Sequence, residues 1–332
     1  GDPADPDIPP FDADGIPRDL DGTQGGKAIP DMGAYEYLAP GLLNSTAVLP
    51  QIAVGGSPVY RTSIVAVNTG AVAATVDISL KRSNASSFPS DVLNGPEFAW
   101  LLIPPNGTAS RETASTGDLI SGYAMLLSNI PVNGSALFKT MMGENIISEA
   151  GVGASKPANN FIVYVDNANG AYSGYAVANH GTGVANLTLT LRDGSGNTKD
   201  RKSFALSPGQ QLPEFAAQRF AAAAAGFEGT IEFASDQRVA AVALRYDNSA
   251  LDVFSTIPVL VDEASTTLYF PQFADGGGYR TNFILVNPSA AATTAKLEFF
   301  ADDGSPLELS IGGLNRTSYS VLLSARGVAR LI

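Results

Sequence analysis

The sequence predicts an all-β fold made of tandem antiparallel sandwich units, and three observations lead to this prediction. First, 45% of the 332 residues are hydrophobic and only 16% are charged, with 34 Gly and 21 Pro. This composition suits many short strands separated by turns. Second, a two-strand pattern occurs three times at matching spacing. Third, the length suffices for two or three domains with their own cores.

Each copy of the repeated pattern has an Asn at the end of one strand, a polar connection, and then a strand with alternating apolar side chains. The Asn residues are Asn68, Asn179 and Asn287. The positions eight, ten and twelve residues later hold Val76, Ile78 and Leu80 in the first copy, Leu187, Leu189 and Leu191 in the second, and Ala295, Leu297 and Phe299 in the third. Alternate side chains of a strand lie on the same face, so each set is expected to face a core. The shared period and loop length indicate copies of one unit.

The repeats divide the chain into an extended N-terminal segment and three antiparallel units, each expected to be an immunoglobulin-like β-sandwich. The expected boundaries are 1–46 for the acidic segment and its linker, 47–150 for the first sandwich, 151–262 for the second, and 263–332 for an incomplete third. The second unit is expected to contain one short helix, because Pro213 and Glu214 suit a first helical turn and an Ala-rich stretch follows. Gly226 can end this helix in the left-handed conformation.

The third unit stops before the repeat is complete. Its first segment, LYFPQ, is similar to VLPQ of the first unit. The segment VLLSARGVARLI aligns with LLIPPNGTASRE, so that Leu323 corresponds to Ile103 and Ile332 to Glu112. Nothing in the sequence then corresponds to residues 113–150, which are expected to hold about three strands. We therefore expect an apolar face and two unpaired strand edges, which invite pairing with other chains.

Residues 1–37 differ in composition from the rest of the chain. They hold nine Asp and Glu residues against Arg18 and Lys27, so they carry −7 of the net charge of −12. Their Pro and Gly content predicts an extended or looped segment. The words DADGIPRDLDG and IPDMGAYEY resemble the C-terminal end of secreted bacterial right-handed parallel β-helix proteins, whose tails lead into surface anchors. This resemblance implies that Gly1 lies inside a larger precursor.

A second resemblance covers most of residues 47–332. The words FPQFADGGGYRTNFILVNPS, FADDGSP, ISEAGV, YSGYAVAN, LSPGQQ, FEGTIEFAS and VAAVALRYDN resemble a tandem β-sandwich module of secreted proteins from environmental bacteria. The resemblance implies an extracellular or cell-surface building block with no assigned chemistry.

Charge and composition argue against several kinds of partner. A net charge of −12 without clusters of Lys and Arg makes nucleic acid a poor partner. Cysteine is absent, so the chain has no disulfides, thiolate metal ligands or Cys nucleophile. No apolar run approaches the roughly 18 residues needed to span a bilayer, so we expect no membrane insertion.

The acidic segment contains the only candidate metal site. Asp12, Asp14, Asp19 and Asp21 form two Asp-x-Asp-Gly-like words, and Ca²⁺ prefers several carboxylate and carbonyl oxygens on a flexible loop. An EF-hand is excluded, because the acid required at the twelfth loop position is replaced by Thr23. Ca²⁺ is therefore the one possible cofactor, and a hydrogen-bonded acidic loop is the alternative.

No catalytic constellation is expected. His180 is the only histidine, and it follows a strand in the turn-like triplet Asn179-His180-Gly181. A Ser-His-Asp triad would need His180 as its base, and no serine lies in a Gly-x-Ser-x-Gly motif that could form a nucleophile elbow. The sequence therefore predicts no catalytic residues and no enzyme activity.

Together these observations predict a non-enzymatic extracellular structural protein, displayed on or shed from a bacterial surface. We expect it to be a subunit of a filament in which a neighbouring copy supplies strands to the incomplete third sandwich, with residues 1–46 as the most obvious donor. Two interpretations stay open. The chain can continue past Ile332 and complete the unit itself, or the region can be a glycan-binding or spacer part of a secreted β-helix protein.

Overall fold

The structure is a computed structural model that describes residues 9, 11–12, 18, 41–95, 99–114, 117–247, 253–261 and 265–331. Within these ranges the fold is almost entirely antiparallel β-sheet with one short α-helix, so the all-β prediction is confirmed. Most of the expected extended segment, residues 1–46, lies outside the described residues.

The first unit consists of two four-stranded sheets. Its strands are β1 (Ser45–Val54), β2 (Val59–Val67), β3 (Ala74–Arg82), β4 (Trp100–Ile103), β5 (Thr108–Glu112), β6 (Ile120–Ser128), β7 (Asn133–Met142) and β8 (Asn145–Gly153). The strand order is β1-β6-β3-β4 in one sheet and β5-β2-β7-β8 in the other. Apolar side chains from both sheets form one core, for example Ile64 of β2 with Val76 of β3. The arrangement is therefore sandwich-like, as expected from alternating strands.

The second unit repeats this arrangement with one longer strand. Its strands are β9 (Ala158–Asp166), β10 (Ala171–Ala178), β11 (Ala185–Asp193), β12 (Thr198–Leu206), β13 (Gln211–Phe215), β14 (Glu228–Asp247), β15 (Val253–Ile257) and β16 (Leu260–Val261). The first half of β14 pairs with β9 and β11, and its second half pairs with β10 and β15. The first half of β14 therefore corresponds to β6 of the first unit, and its second half corresponds to β7.

The helix of the second unit is shorter than the sequence predicts. It is limited to α1 (Ala216–Arg219), and a 3-10 turn follows at Ala221–Ala223. Pro213 and Glu214 lie in β13, where they pair with β10. The prediction for these two residues was wrong because pairing with a neighbouring strand overrides local helix propensity.

Among the described residues, the third unit contains only short two-stranded ladders. Its strands are β17 (Phe283–Val286), β18 (Thr293–Glu298), β19 (Leu309–Ile311), β20 (Leu314–Arg316), β21 (Ser318–Leu323) and β22 (Val328–Leu331). β17 pairs with β22, β18 with β21, and β19 with β20. By order and pairing, these β17–β22 and β18–β21 ladders correspond to β2–β5 and β3–β4 of the first unit. In the described residues, no strand pairs with the second edge of β17 or β18.

The three units contact one another in two different ways. Val242, Leu244 and Phe254 of the second unit belong to the apolar core of the first. Gln211 reinforces this contact, because its side-chain Nε2 donates to the carbonyl oxygens of Pro50 at 2.7 Å and Gly122 at 2.9 Å. The first two units therefore share a continuous core.

The contact between the second and third units is more polar. The Val328 N–H donates to the Gly194 carbonyl oxygen at 2.9 Å. Arg330 lies 3.5 Å from Asp166, and Arg326 lies 3.5 Å from Glu232. The apolar cluster of the third unit contains only residues of that unit among those described. The third unit is therefore held by hydrogen bonds and ion pairs more than by a shared core.

Candidate functional site

The candidate site is the pair of open strand edges in the third unit, and the repeated Asn residues establish which strands correspond. All three Asn side chains are buried. Each Nδ2 donates to the carbonyl oxygen four residues later and to a carbonyl near the end of a later strand, and each Oδ1 accepts from the N–H two residues later. These three partners are Val72, Ile103 and Gly70 for Asn68; Gly183, Leu206 and Gly181 for Asn179; and Ala291, Ser324 and Ser289 for Asn287.

This shared hydrogen-bond pattern fixes the same corner in all three units. The corner ties the loop after the Asn-bearing strand to a later turn, which joins β4 to β5 in the first unit, β12 to β13 in the second and β21 to β22 in the third. Buried amide groups require partners, so the three bonds hold the loop in one conformation. The third unit therefore has the local structure of the other two, although it has fewer strands.

The segment before β17 shows what the third unit lacks. In the first unit, Val48 and Leu49 are 1% and 0% exposed, since they lie in β1 beside β6. The residues aligned with them by sequence, Tyr269 and Phe270, are 89% and 49% exposed. Residues 265–275 form no strand. A segment that is a sheet strand in the first unit therefore has no sheet partner here.

Several large apolar side chains of the third unit are exposed. They are Leu268, Tyr269, Phe270, Tyr279, Phe300, Leu314 and Leu322. Single exposed apolar residues are common on protein surfaces, and Leu322 aligns with Leu102, which is also exposed in the first unit. The three consecutive residues Leu268, Tyr269 and Phe270 are a concentration of the kind found at interaction sites.

The third unit nevertheless has a small core of its own. The rings of Phe273, Phe283, Phe299 and Tyr319 contact one another, with centroid separations of 5.5 to 6.2 Å. Such edge-on and tilted ring contacts stabilise beyond the area they bury. The side chains on the inner face of β17 and β18 are buried, at 4% to 8% exposed: Phe283, Leu285, Leu297 and Phe299. The expectation of a bare apolar face was therefore wrong, because this ring cluster covers it, whereas the backbone edges of β17 and β18 have no strand partner on that side among the described residues.

The predicted Ca²⁺ site lies almost entirely outside the described residues. Asp14, Asp19 and Asp21 are not described, and Asp12 is described as buried. In the described part of the chain, no group of three or more His, Cys, Asp or Glu side chains could hold a metal ion. The Ca²⁺ site stays a prediction.

His180 lies in the loop after β10 and makes no catalytic constellation among the described residues. Its Nδ1 is buried and has no hydrogen-bond partner there. Burial, and secondarily the charge of Arg238, lower the pKa of His180. Nothing in the described structure orients the ring toward a nucleophile.

Sequence reasoning missed one partly buried polar cluster in the second unit. Glu214 accepts a hydrogen bond from the Tyr175 hydroxyl and binds Arg219 through Nε at 2.7 Å and Nη2 at 2.9 Å. Burial and the Glu214 carboxylate raise the pKa of Tyr175. The guanidinium of Arg219 also lies 4.8 Å from the Phe204 ring centroid. Because both Glu214 oxygens are occupied by these partners, the cluster stabilises the unit and leaves no free acid for catalysis.

Comparison with known proteins identifies no relative. No protein-family model and no curated protein matches the chain. Among the described residues, no helix has the length and apolar character needed to span a bilayer.

Proposed function

We propose that this chain is a non-enzymatic structural protein outside the bacterial cell, and that it is a subunit of a filament assembled by β-strand complementation. The observation that supports the proposal is the pair of open edges on β17 and β18, whose counterparts in the first two units are covered by β6, β7 and β14. The acceptor is the third unit, and a neighbouring subunit supplies the missing strands.

Strand addition at this site is favourable for two physical reasons. The open edges present backbone N–H and C=O groups that an added strand can pair with. Exposed apolar side chains of the third unit, such as Tyr269 and Phe270, can be buried at the same time, which stabilises by about 25 cal/mol per Å² of apolar surface removed from water.

The geometry of such an assembly leads to a fibre. The donor segment and the acceptor unit are different surfaces, so each subunit donates to one neighbour and accepts from another. A contact between unlike surfaces that does not close into a ring repeats without limit. We therefore expect filaments rather than dimers.

Intact mass and electron microscopy of the native protein test the proposal. Filaments built from copies of one chain are the expected result. Monomers whose own residues complete the third unit would contradict it. Retardation of monomers by plant or bacterial polysaccharides would instead support the glycan-binding alternative.

A further inference from the structure

We infer that the third unit of one copy of this chain binds the first unit of a second copy, through a contact that both junctions inside the chain already use. The contact joins a hairpin turn of one unit to the corner turn of the next. Among the described residues, the hairpin turn of the third unit and the corner turn of the first unit bind no other unit. The inference goes beyond the proposed function, because these turns are not part of the open edges of β17 and β18.

The same hairpin turn follows the alternating strand in all three units. It spans residues 82–86, 193–197 and 301–305, beginning fourteen residues after the buried Asn of each unit. The fourth residue of each turn has a positive φ and donates its N–H to the carbonyl oxygen of the first. These donor and acceptor pairs are Ala85 and Arg82 at 2.9 Å, Gly196 and Asp193 at 2.8 Å, and Gly304 and Ala301 at 2.8 Å. The three hairpin turns therefore present the same backbone.

The corner turn, which the buried Asn holds, is also repeated. It spans residues 104–107, 207–210 and 324–327. The third residue of each turn has a positive φ, and the fourth donates its N–H to the carbonyl oxygen of the first. These pairs are Gly107 and Pro104 at 3.0 Å, Gln210 and Ser207 at 3.1 Å, and Gly327 and Ser324 at 3.0 Å. Every unit therefore carries both turns.

Both junctions inside the chain place the corner turn of one unit on the hairpin turn of the unit before it. The N–H that directly follows the corner turn donates to the carbonyl oxygen of the second hairpin residue. Gln211 donates to Ser83 at 3.1 Å in the first junction, and Val328 donates to Gly194 at 2.9 Å in the second. Equivalent atoms therefore join both pairs of units, although the rest of the two junctions differs.

Glycine permits the close approach of the two turns. A Cβ atom on Gly209 would lie 3.1 Å from the Ala85 Cβ atom, and one on Gly196 would lie 2.0 Å from the Ala325 carbonyl oxygen. Each junction thus has glycine either at the third corner residue or at the fourth hairpin residue. The two turns without a partner meet the same condition, because Gly304 holds the hairpin position.

The joined turns are less exposed than the two turns without a partner. The second and fourth hairpin residues are partly buried in the first two units, whereas Asp302 and Gly304 of the third unit are exposed. Directly after the corner turn, Gln211 is buried and Val328 is partly buried, whereas Thr108 of the first unit is exposed. The positions that make the contact twice inside the chain are therefore accessible to a second copy.

The Thr108 N–H has the orientation that the contact requires. The Asn68 N–H donates to the Gly107 carbonyl oxygen at 2.9 Å, so these two residues form a hydrogen-bonded pair of the β2–β5 ladder. The adjacent pair, Val67 and Thr108, is then a non-hydrogen-bonded pair, and the Thr108 N–H points away from β2. Because β5 is an edge strand, this N–H faces outward.

The Arg326 ion pair of the second junction is not part of the repeated contact. Arg326 pairs with Glu232 there, but Gly209 holds the corresponding position in the first junction. The first unit has the uncharged Asn106 at this position. A second copy can therefore bind without leaving a charge unpaired there.

Two substitutions in the complete chain each block one side of the contact. Thr108→Pro removes the donor N–H, and proline is tolerated on an edge strand where the N–H faces outward. Gly304→Asn adds a side chain to the hairpin turn, and Asn is among the few residues that adopt a positive φ routinely.

Each blocked variant has a matched control. Ser110→Pro changes the same edge strand, and the Ser110 N–H also points away from β2, because Ser110 and Val65 form a non-hydrogen-bonded pair. Gly313→Asn changes a residue whose φ of 78° is close to the 82° of Gly304, and an added Cβ there has no atom within 4 Å.

Sedimentation of the native protein and the four variants measures the contact. We expect the native protein and both controls to self-associate as the concentration rises toward about 1 mM, the effective concentration that a short linker gives to joined units. Thr108→Pro and Gly304→Asn are each expected to weaken this association about tenfold or more. A native protein that stays monomeric, or blocked variants that associate as well as their controls, overturns the inference.

An equal mixture of the two blocked variants tests whether the contact joins unlike surfaces. Thr108→Pro keeps an intact hairpin turn in its third unit, and Gly304→Asn keeps an intact corner turn in its first unit. The mixture is therefore expected to form dimers with one copy of each variant, which add no further copies. A mixture that stays monomeric overturns the inference.

The same samples separate this inference from the proposed function. If mixed dimers form while the β17 and β18 amides exchange as fast as in the monomers, the turn contact stands and strand complementation fails. If native filaments persist unchanged in both blocked variants, the turn contact is overturned and strand complementation is left in place.

Discussion

The second and third units begin with corresponding strands, but in the described residues only the second contains the segment that covers them. In the second unit, β14 pairs with both β10 and β11, and Val177 and Leu189 are fully buried. In the third unit, β17 and β18 each have one strand neighbour among the described residues, yet the counterparts of those two side chains, Leu285 and Leu297, are also buried, at 8% exposed each. The repeated sequence therefore specifies the strands, the corner and the buried face, whereas pairing of the inner backbone edges depends on a separate segment.

The largest expected difference between the two units comes from removing an aromatic ring of the core. Phe233 is buried and stacks on Phe161 at a centroid distance of 4.4 Å, so Phe233→Ala is expected to lower the free energy of unfolding by about 3 to 5 kcal/mol. Phe299 is buried too, at 4% exposed, but its cluster has six buried apolar residues against eighteen in that of Phe233, so Phe299→Ala is expected to cost the third unit less, about 2 to 3 kcal/mol. Denaturant unfolding monitored by hydrogen exchange measures both. Equal costs would contradict the described difference between the two cores.

Replacement of the corner Asn by Ala is expected to destabilise the second and third units by equal amounts. Asn179→Ala and Asn287→Ala each remove three hydrogen bonds from a buried site and leave the partner groups unpaired, at a cost of about 2 to 3 kcal/mol. Asn197→Ala is the control, since Asn197 lies in an exposed turn. Local unfolding measured by hydrogen exchange reports each corner. An unaffected corner in the Asn287 variant would mean that the third unit is not built like the second.

A partly buried carboxylate of the first unit has a pH dependence that its counterpart in the third unit lacks. Burial raises the pKa of Asp77 in β3 from 3.8 to about 6, whereas Lys296, nine residues after Asn287 as Asp77 is after Asn68, is exposed. The folded state binds the Asp77 proton more tightly than the unfolded state, so stability is lost as pH rises from about 4 to about 6. Asp77→Asn is therefore expected to stabilise by about 2 to 3 kcal/mol at pH 7 and by little near pH 4.

Thermal unfolding of both proteins between pH 4 and pH 7 measures this effect. Lys296→Ala is the control, and it should show no such pH dependence. A constant difference between Asp77→Asn and the parent across this range would mean that Asp77 is not buried as described.

The smallest effect is expected at the contact between the second and third units. Arg326 and Glu232 lie 3.5 Å apart, and the Arg326 side chain is partly exposed. Arg326→Ala is expected to change stability by less than about 1 kcal/mol, and less still in high salt. The control is Lys296→Ala, since Lys296 pairs with Glu298 within one unit. A cost of several kcal/mol, measured by denaturant unfolding, would mean that the polar contact is stronger than its exposure indicates.

Much of the fold could be predicted from the sequence because the signals are local. The alternation at Leu187, Leu189 and Leu191 depends only on the period of a strand, and all three side chains are buried. The helix was predicted too long because Pro213 and Glu214 pair with a strand more than 35 residues away, which local propensity does not report. The passage of β14 between two sheets was also not predicted, since a 20-residue strand looks the same in sequence whether or not it changes sheet.

From the sequence, the candidate site could be predicted only because strands expected from the repeat have no counterpart in the third unit. Alignment with the first unit predicts that residues 263–332 hold no counterparts of residues 113–150, and among the described residues no strand pairs with β17 and β18 where those strands would lie. The exposure of Tyr269 and Phe270 could not be predicted, because it depends on a partner strand rather than on their own sequence. The Ca²⁺ hypothesis stays untested, because three of its four residues lie outside the described structure.

A cryo-electron microscopy map of the native protein tests the central claim most directly, because it traces the polypeptide that pairs with β17 and β18. We predict that this polypeptide belongs to a neighbouring subunit. A segment continuous with the same chain as the third unit would contradict the account.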